Sequence, residues 1–116
     1  MGADSGVATI LDGGITSAQR LGDKIHVIFV GREKEIQTAL DSYDKLPDNI
    51  SIRHAEDEVP MNISATDGVR MRSSSVAIGM KMVKKEEAVA FISPGNTGAV
   101  MATALLTLGR IEGVSR

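Results

Sequence analysis

Hydrophobic positions along the chain fall into two periods, and the switches between them mark the predicted elements. Val7, Ile10, Leu11, Ile15, Ala18 and Leu21 recur at helical spacing. Gly22-Asp23 ends that helix, and Met1 to Ser5 reads as a loop leading into it, with Asp4 or Ser5 as its N-cap. Gly13 and Gly14 interrupt the pattern. Each costs a helix about 1 kcal/mol relative to alanine, so the pattern calls for a close neighbour or a break there. Lys24 to Val30, K-I-H-V-I-F-V, is rich in β-branched residues and predicts a strand. Ile36, Ala39, Leu40 and Tyr43 share one face of a helix over Glu33 to Tyr43. A loop at Leu46 to Asn49 separates it from a shorter strand, Ile50 to His54.

The stretch from Ala55 to Gly68 is the least regular, acidic at Glu56, Asp57 and Glu58 and broken by Pro60. A short helical turn is expected near Ala65 to Arg70. Ser73, Ser74 and Ser75 offer an N-cap to a helix whose apolar stripe is Val76, Met80 and Val83. Lys81, Lys84 and Lys85 face away from that stripe or sit at the helix C-terminal end, where cations are favoured. Val89 to Ile92 is a short apolar run that reads as a buried strand, Ser93 to Gly98 as a tight loop, and Ala99 to Leu108 as a helix almost without charge. Gly109 to Arg116 reads as a loop.

Strands alternate with helices in this order, which predicts an α/β fold with a mostly parallel sheet and right-handed crossovers. Neither a repeat nor a low-complexity linker divides the chain, so it is one domain or one piece of a domain. Its 116 residues can bury a core, and 42% hydrophobic with 24% charged residues is ordinary globular composition. A net charge of −2 with 3% aromatic residues gives no basic field and few stacking platforms, so nucleic acid is not an expected partner. The absence of cysteine excludes a disulfide framework and a thiolate metal site and fits a reducing compartment. No apolar run reaches membrane-spanning length, and no secretory leader pattern opens the chain.

The chemistry concentrates in S-P-G-N-T-G, Ser93 to Gly98. A glycine-flanked loop between a strand and a helix suits an anion, because the helix N-terminus carries unpaired N–H groups and partial positive charge. Gly95 and Gly98 allow close approach to the backbone, and Asn96 and Thr97 add uncharged hydrogen-bonding groups. Pro94-Gly95 is equally a turn signal, and Thr97 equally a helix N-cap, so a plain structural turn stands beside the anion site. The loop has neither the Lys-Ser/Thr pair of a P-loop nor the three-glycine dinucleotide fingerprint. His54 ends a strand, where ligands collect in open α/β sheets, whereas His26 reads as a packed or surface residue. His54 has no Cys or second His at metal-ligand spacing, so a metal site is not expected there. Arg70 and Arg72 could hold an anionic group or simply edge a helix, and Ser74 and Ser75 have no adjacent base.

F-I-S-P-G-N-T-G-A-V-M-A resembles the S-A-G-N-T-G-A segment of the bacterial phosphate acyltransferases of phospholipid synthesis, the PlsX family. Further segments agree in order. M-G-A-D at Met1 to Asp4 resembles M-G-G-D, and H-A-E at His54 to Glu56 resembles H-A-S-E. Val69-Arg70 with Ser74-Ser75 resembles V-R-x-K-x-x-S-S, and Val83-Lys84 and Leu108 to Gly113 also fit. The chain departs from the family pattern at Ala3, at Met61 to Ala65, at Ser73 and at Pro94. Family members are considerably longer, so the resemblance implies an N-terminal portion, residues 1–116, of a phosphate acyltransferase domain that lacks its first strand.

The resemblance implies a three-layer fold similar to phosphotransacetylases and isocitrate and isopropylmalate dehydrogenases. It implies transfer of a fatty acyl group from acyl carrier protein to inorganic phosphate, giving acyl phosphate. It also implies a homodimer, a cytoplasmic location with peripheral association at the inner face of the membrane, and no metal or organic cofactor. Carried onto this chain, Ser93, Gly95, Asn96, Thr97 and Gly98 are the expected phosphate loop, with Asn96 as the catalytic polar contact and Asp4, Ser74 and Ser75 near the same cleft. Two rival readings are a short-chain acyl-CoA phosphate acyltransferase and a truncated, non-catalytic phosphate-binding domain.

Overall fold

A computed structural model describes residues 6–114. The first helical pattern forms one helix, α1 (Gly6–Leu21), unbroken at its glycine pair, and buries Leu11, Ile15 and Ala18. Gly14 has the close neighbour that its cost demanded: a Cβ there would collide with the ring of Phe29. A single 3₁₀ turn, Gly22–Lys24, takes up the start of the expected strand, which begins later as β1 (Val27–Gly31). Helix α2 (Glu33–Leu40) buries Ile36 and Leu40 and stops before Tyr43, while β2 (Ile50–His54) keeps its expected bounds.

The two strands pair in parallel, from Val27 opposite Ile50 to Gly31 opposite His54. Leu11 and Ile15 of α1, Phe29 of β1 and Ile36 and Leu40 of α2 form the first core, with Val27, Ile50 and Ile52 packed against it. Asn49 closes the α1–β1 corner: its Nδ2 donates to the carbonyls of Ala18 (3.1 Å), Gly22 (2.9 Å) and Ile25 (3.0 Å).

Beyond β2 the helical turn expected near Ala65 is α3 (Ala65–Arg70), capped by Ser64, whose Oγ accepts from the Asp67 N–H. Then come α4 (Ser75–Lys84) and α5 (Thr97–Leu108). Helix α4 contacts β1 and provides the second helical layer of a three-layer α/β arrangement around the small parallel sheet. A second core joins Val59, Val76 and Ala99, with Ile63, Met71, Phe91 and Val100 against it. Helices α3 and α5 come close there: a Cβ on Gly68 would stand 2.5 Å from that of Ala99.

The expected strand at Val89 to Ile92 does not form; among the described residues the sheet is two-stranded. Phe91 folds back against Gly79 of α4, whereas Val89 and Ile92 are fully and nine-tenths exposed, at 104% and 91%. Apolar β-branched residues favour a strand only when a neighbour accepts their ladder and covers their faces, and this segment has neither. Helix α5 shows the same imbalance, since it is apolar all round yet buries only Ala99 and Thr103.

Candidate functional site: the shared N-terminal end of two helices

Helices α4 and α5 both begin against one piece of chain, residues 57–63, which leaves the carboxyl end of β2. At its near end the piece is joined to the start of α4. The Asp57 N–H donates to the Ser73 carbonyl (3.2 Å), and the Ser75 N–H donates to the Asp57 carbonyl (3.0 Å). At its far end Asn96 holds it to the start of α5. The Asn96 Nδ2 donates to the carbonyls of Pro60 (3.1 Å), Met61 (3.3 Å) and Ile63 (3.0 Å). Its Oδ1 accepts from the Ala99 N–H (3.0 Å), so the helix N-cap is Asn96 and not Thr97.

This geometry sorts the expected loop residues. Asn96 is buried, and its side-chain amide nitrogen is directed at backbone carbonyls of the 57–63 segment. A direct contact between that amide and a ligand would require those bonds to break. Gly95 is also buried, and its N–H donates to Ser93 Oγ (3.3 Å). Thr97 and Gly98 are exposed, and their N–H groups precede the intrahelical ladder. Gly98 faces Ala65, whose Cβ would lie 3.3 Å from a Cβ added at Gly98, so the starts of α3 and α5 adjoin.

The serines expected near the cleft stand at the start of α4. Ser74 is fully buried and caps α4, its Oγ accepting from the Ala77 N–H (3.2 Å). Ser75 is buried behind it. Asp4 lies outside the described residues.

At the carboxyl end of the sheet His54 is exposed and bridges two partners. Its Nδ1 accepts from the Glu33 N–H at the start of α2 (3.3 Å), and its Nε2 lies 3.3 Å from Glu56 Oε2. Arg32 donates from Nε to the Glu56 carbonyl (3.0 Å) and pairs with Glu35 (3.0 Å). The hydrogen bond that Arg32 donates to Glu35, reinforced by the carboxylate's charge, pushes the guanidinium above its ordinary value and keeps it cationic. Arg70 pairs loosely with Asp67 (3.6 Å), and Arg72 is exposed. His26 faces outward, its Nε2 2.8 Å from Ser51 Oγ, as a surface residue would. Among the described residues no group of three or more His, Cys, Asp or Glu could hold a metal ion, and no helix is long and apolar enough to cross a membrane.

Sequence reasoning missed the part Asn96 plays. Its partners lie 33 to 36 residues earlier, in the segment with the weakest pattern, and no local spacing signals them. The chemistry that the site offers is therefore backbone donation: an uncharged, open helix start at Thr97 and Gly98, with electropositive helix ends on both sides of one short segment.

Comparison with known proteins gives this geometry its context. A family model described as fatty acid synthesis protein matches residues 1–116. A phosphate acyltransferase of Desulforamulus reducens is 39% identical over the whole chain, which covers 34% of that protein. Phosphate acyltransferases of Trichlorobacter lovleyi and Chlorobaculum tepidum are 38% and 35% identical, again over the whole chain, which covers 33% and 35% of them. The chain thus spans about a third of the length of these relatives.

Proposed function

We infer the function from one premise: the chain belongs to the fatty acid synthesis protein family, whose model spans it end to end. The reading is that it carries the phosphate-binding part of a phosphate acyltransferase, which moves a fatty acyl group from acyl carrier protein to inorganic phosphate. The observation that carries this reading is the open first turn of α5. Thr97 and Gly98 present free backbone donors there, and no acidic side chain lies in that turn to repel an anion.

The chemistry asks for little else at this position. A phosphate oxygen attacks the thioester carbonyl carbon, the new C–O bond forms as the C–S bond breaks, and the carrier thiol leaves with the electron pair and takes a proton. The protein must hold an anionic nucleophile in line and stabilise the transient oxyanion. The N–H groups of Thr97 and Gly98 and the Thr97 hydroxyl hold the phosphate. Ser93 shapes the approach by fixing the Gly95 N–H. Electropositive backbone dipoles do this without a charged side chain, so bound phosphate keeps an oxygen available for attack.

The test is production of acyl phosphate, trapped with hydroxylamine, from acyl-ACP and phosphate. It is run with the chain alone and with the chain mixed with the remaining two-thirds of a family member such as the Desulforamulus reducens protein. Product in either arm supports the reading. Product from acyl-CoA but not from acyl-ACP would move the assignment to the short-chain acyl-CoA reaction. No product in both arms, with the chain folded, would favour a non-catalytic phosphate-binding domain.

A further inference from the structure

We propose that Asn96 is a positioning residue that acts through the 57–63 segment, holding that segment as a strap between the starts of α4 and α5. The inference rests on the reading of the α5 first turn as a phosphate site. It concerns how that site is kept in shape, not what binds there.

Three observations carry it. First, the Asn96 amide is spent inward: Nδ2 on the Pro60, Met61 and Ile63 carbonyls, and Oδ1 on the Ala99 N–H. An amide has only two hydrogens, so three acceptors within 3.3 Å leave no donor for a ligand. Second, the same strap is joined at Asp57 to Ser73 and Ser75, on the other helix start. One short segment therefore fixes the spacing between two helix N-termini. Third, the contacts beneath it are close and apolar: Val59 is buried at 3% between Gly68, Val76 and Ala99. Val59 thus anchors the strap in that core, while the exposed stretch from Pro60 to Asn62 is held by Asn96.

The consequence is a division of labour within one turn. Asn96 caps α5 through Oδ1 and clamps the strap through Nδ2. The cap leaves the next two N–H groups, those of the exposed Thr97 and Gly98, outside the ladder. The clamp keeps the Pro60–Ile63 carbonyls turned toward the amide. Released, these carbonyls could swing toward the same helix start and compete with an anion for its donors. Asn96 thus keeps electron-rich groups away from the site.

Asn96→Ser separates the two jobs, because serine caps a helix well but cannot reach three carbonyls. Pro60→Gly loosens the strap while leaving Asn96 in place. Two readouts are taken on the 116-residue chain. One is amide hydrogen exchange, read for the strap at Asp57 and Ser75, whose N–H groups are bonded across its junction with α4, and for α5 along residues 99–103. The other is inorganic phosphate affinity from the backbone amide shifts of Thr97 and Gly98. The expected result for Asn96→Ser is exchange at least tenfold faster in the strap, near-unchanged protection in α5, and phosphate affinity lower by roughly tenfold, the factor set by about one lost hydrogen bond. Pro60→Gly lowers affinity in the same direction, and the double variant binds no worse than Asn96→Ser alone.

Two results would overturn the proposal. One is loss of affinity in Asn96→Ser with strap exchange unchanged and Pro60→Gly binding normally, which would make Asn96 a direct contact. The other is a loosened strap with affinity unchanged, which would make the clamp irrelevant to the site. If the unmodified chain binds no phosphate, the reading of the site fails. Strap exchange in Asn96→Ser then decides the clamp by itself: unchanged exchange refutes it, and faster exchange upholds it as an organiser of the fold.

Discussion

Gly68→Ala tests whether α3 and α5 meet as closely as the second core requires. The added methyl carbon would stand 2.5 Å from Ala99 Cβ and 3.1 Å from Val59 Cγ1. Carbon atoms in contact settle at about 3.5–4.0 Å, so the helices must part by roughly 1 Å. Ala99 is fully buried and its methyl cannot rotate away. Overpacking of this kind costs about 1–3 kcal/mol, against which alanine returns up to about 1 kcal/mol of helix propensity. The expected net loss is about 1–2 kcal/mol, read as a lower urea midpoint at unchanged slope. Gly13→Ala is the matched control, since Gly13 lies within α1 with nothing within 4 Å of the added methyl, and it should gain about 1 kcal/mol. Adding Ala99→Gly to Gly68→Ala moves the methyl across the contact and should return stability to within about 1 kcal/mol of the unmodified chain. If Gly68→Ala stabilises as much as Gly13→Ala does, the close α3–α5 packing is wrong.

Two further predictions follow from side-chain hydrogen bonds. Asn49→Ala strips three carbonyls at the α1–β1 corner of their donor and should cost about 2 kcal/mol by urea unfolding. Asn49→Asp should cost more, because it turns a carboxylate onto the same carbonyls. Tyr43 donates to Asp12, and that hydrogen bond raises the phenol above its ordinary 10.0. A raised folded-state pKa means stability present below the unfolded value and lost as pH climbs through the folded one. Tyr43→Phe should therefore unfold at a lower midpoint than the unmodified chain at pH 7, and the gap should close above the tyrosine titration. A gap that widens at high pH would show that the Asp12 bond does not form.

The fold was legible where periodicity and burial agree. The Leu11, Ile15 and Ala18 face of α1, the Ile36 and Leu40 face of α2, and both sheet strands stand close to where spacing puts them. Ser74 as the cap of α4 was also within reach, because capping depends on residues three apart. Val89 to Ile92 was not: its composition suits a strand, but pairing is a property of neighbours, and here Phe91 alone turns inward, onto Gly79. The loop from Ser93 to Gly98 was locatable between its flanking elements, yet the sequence could not say which of its groups face out. That depends on Asn96 reaching carbonyls more than thirty residues away, and on Gly95 being closed by Ser93. Backbone donors at Thr97 and Gly98 carry no signature in the identity of the side chains beside them.

The central claim is that inorganic phosphate seats on the first turn of α5. Titrating phosphate into the isotope-labelled chain while following backbone amide shifts tests it most directly. The account predicts saturable shifts centred on Thr97 and Gly98, with the amides of Arg70 and Arg72 moving little. Saturable shifts centred on the arginines, or none at all in a folded chain, would contradict it.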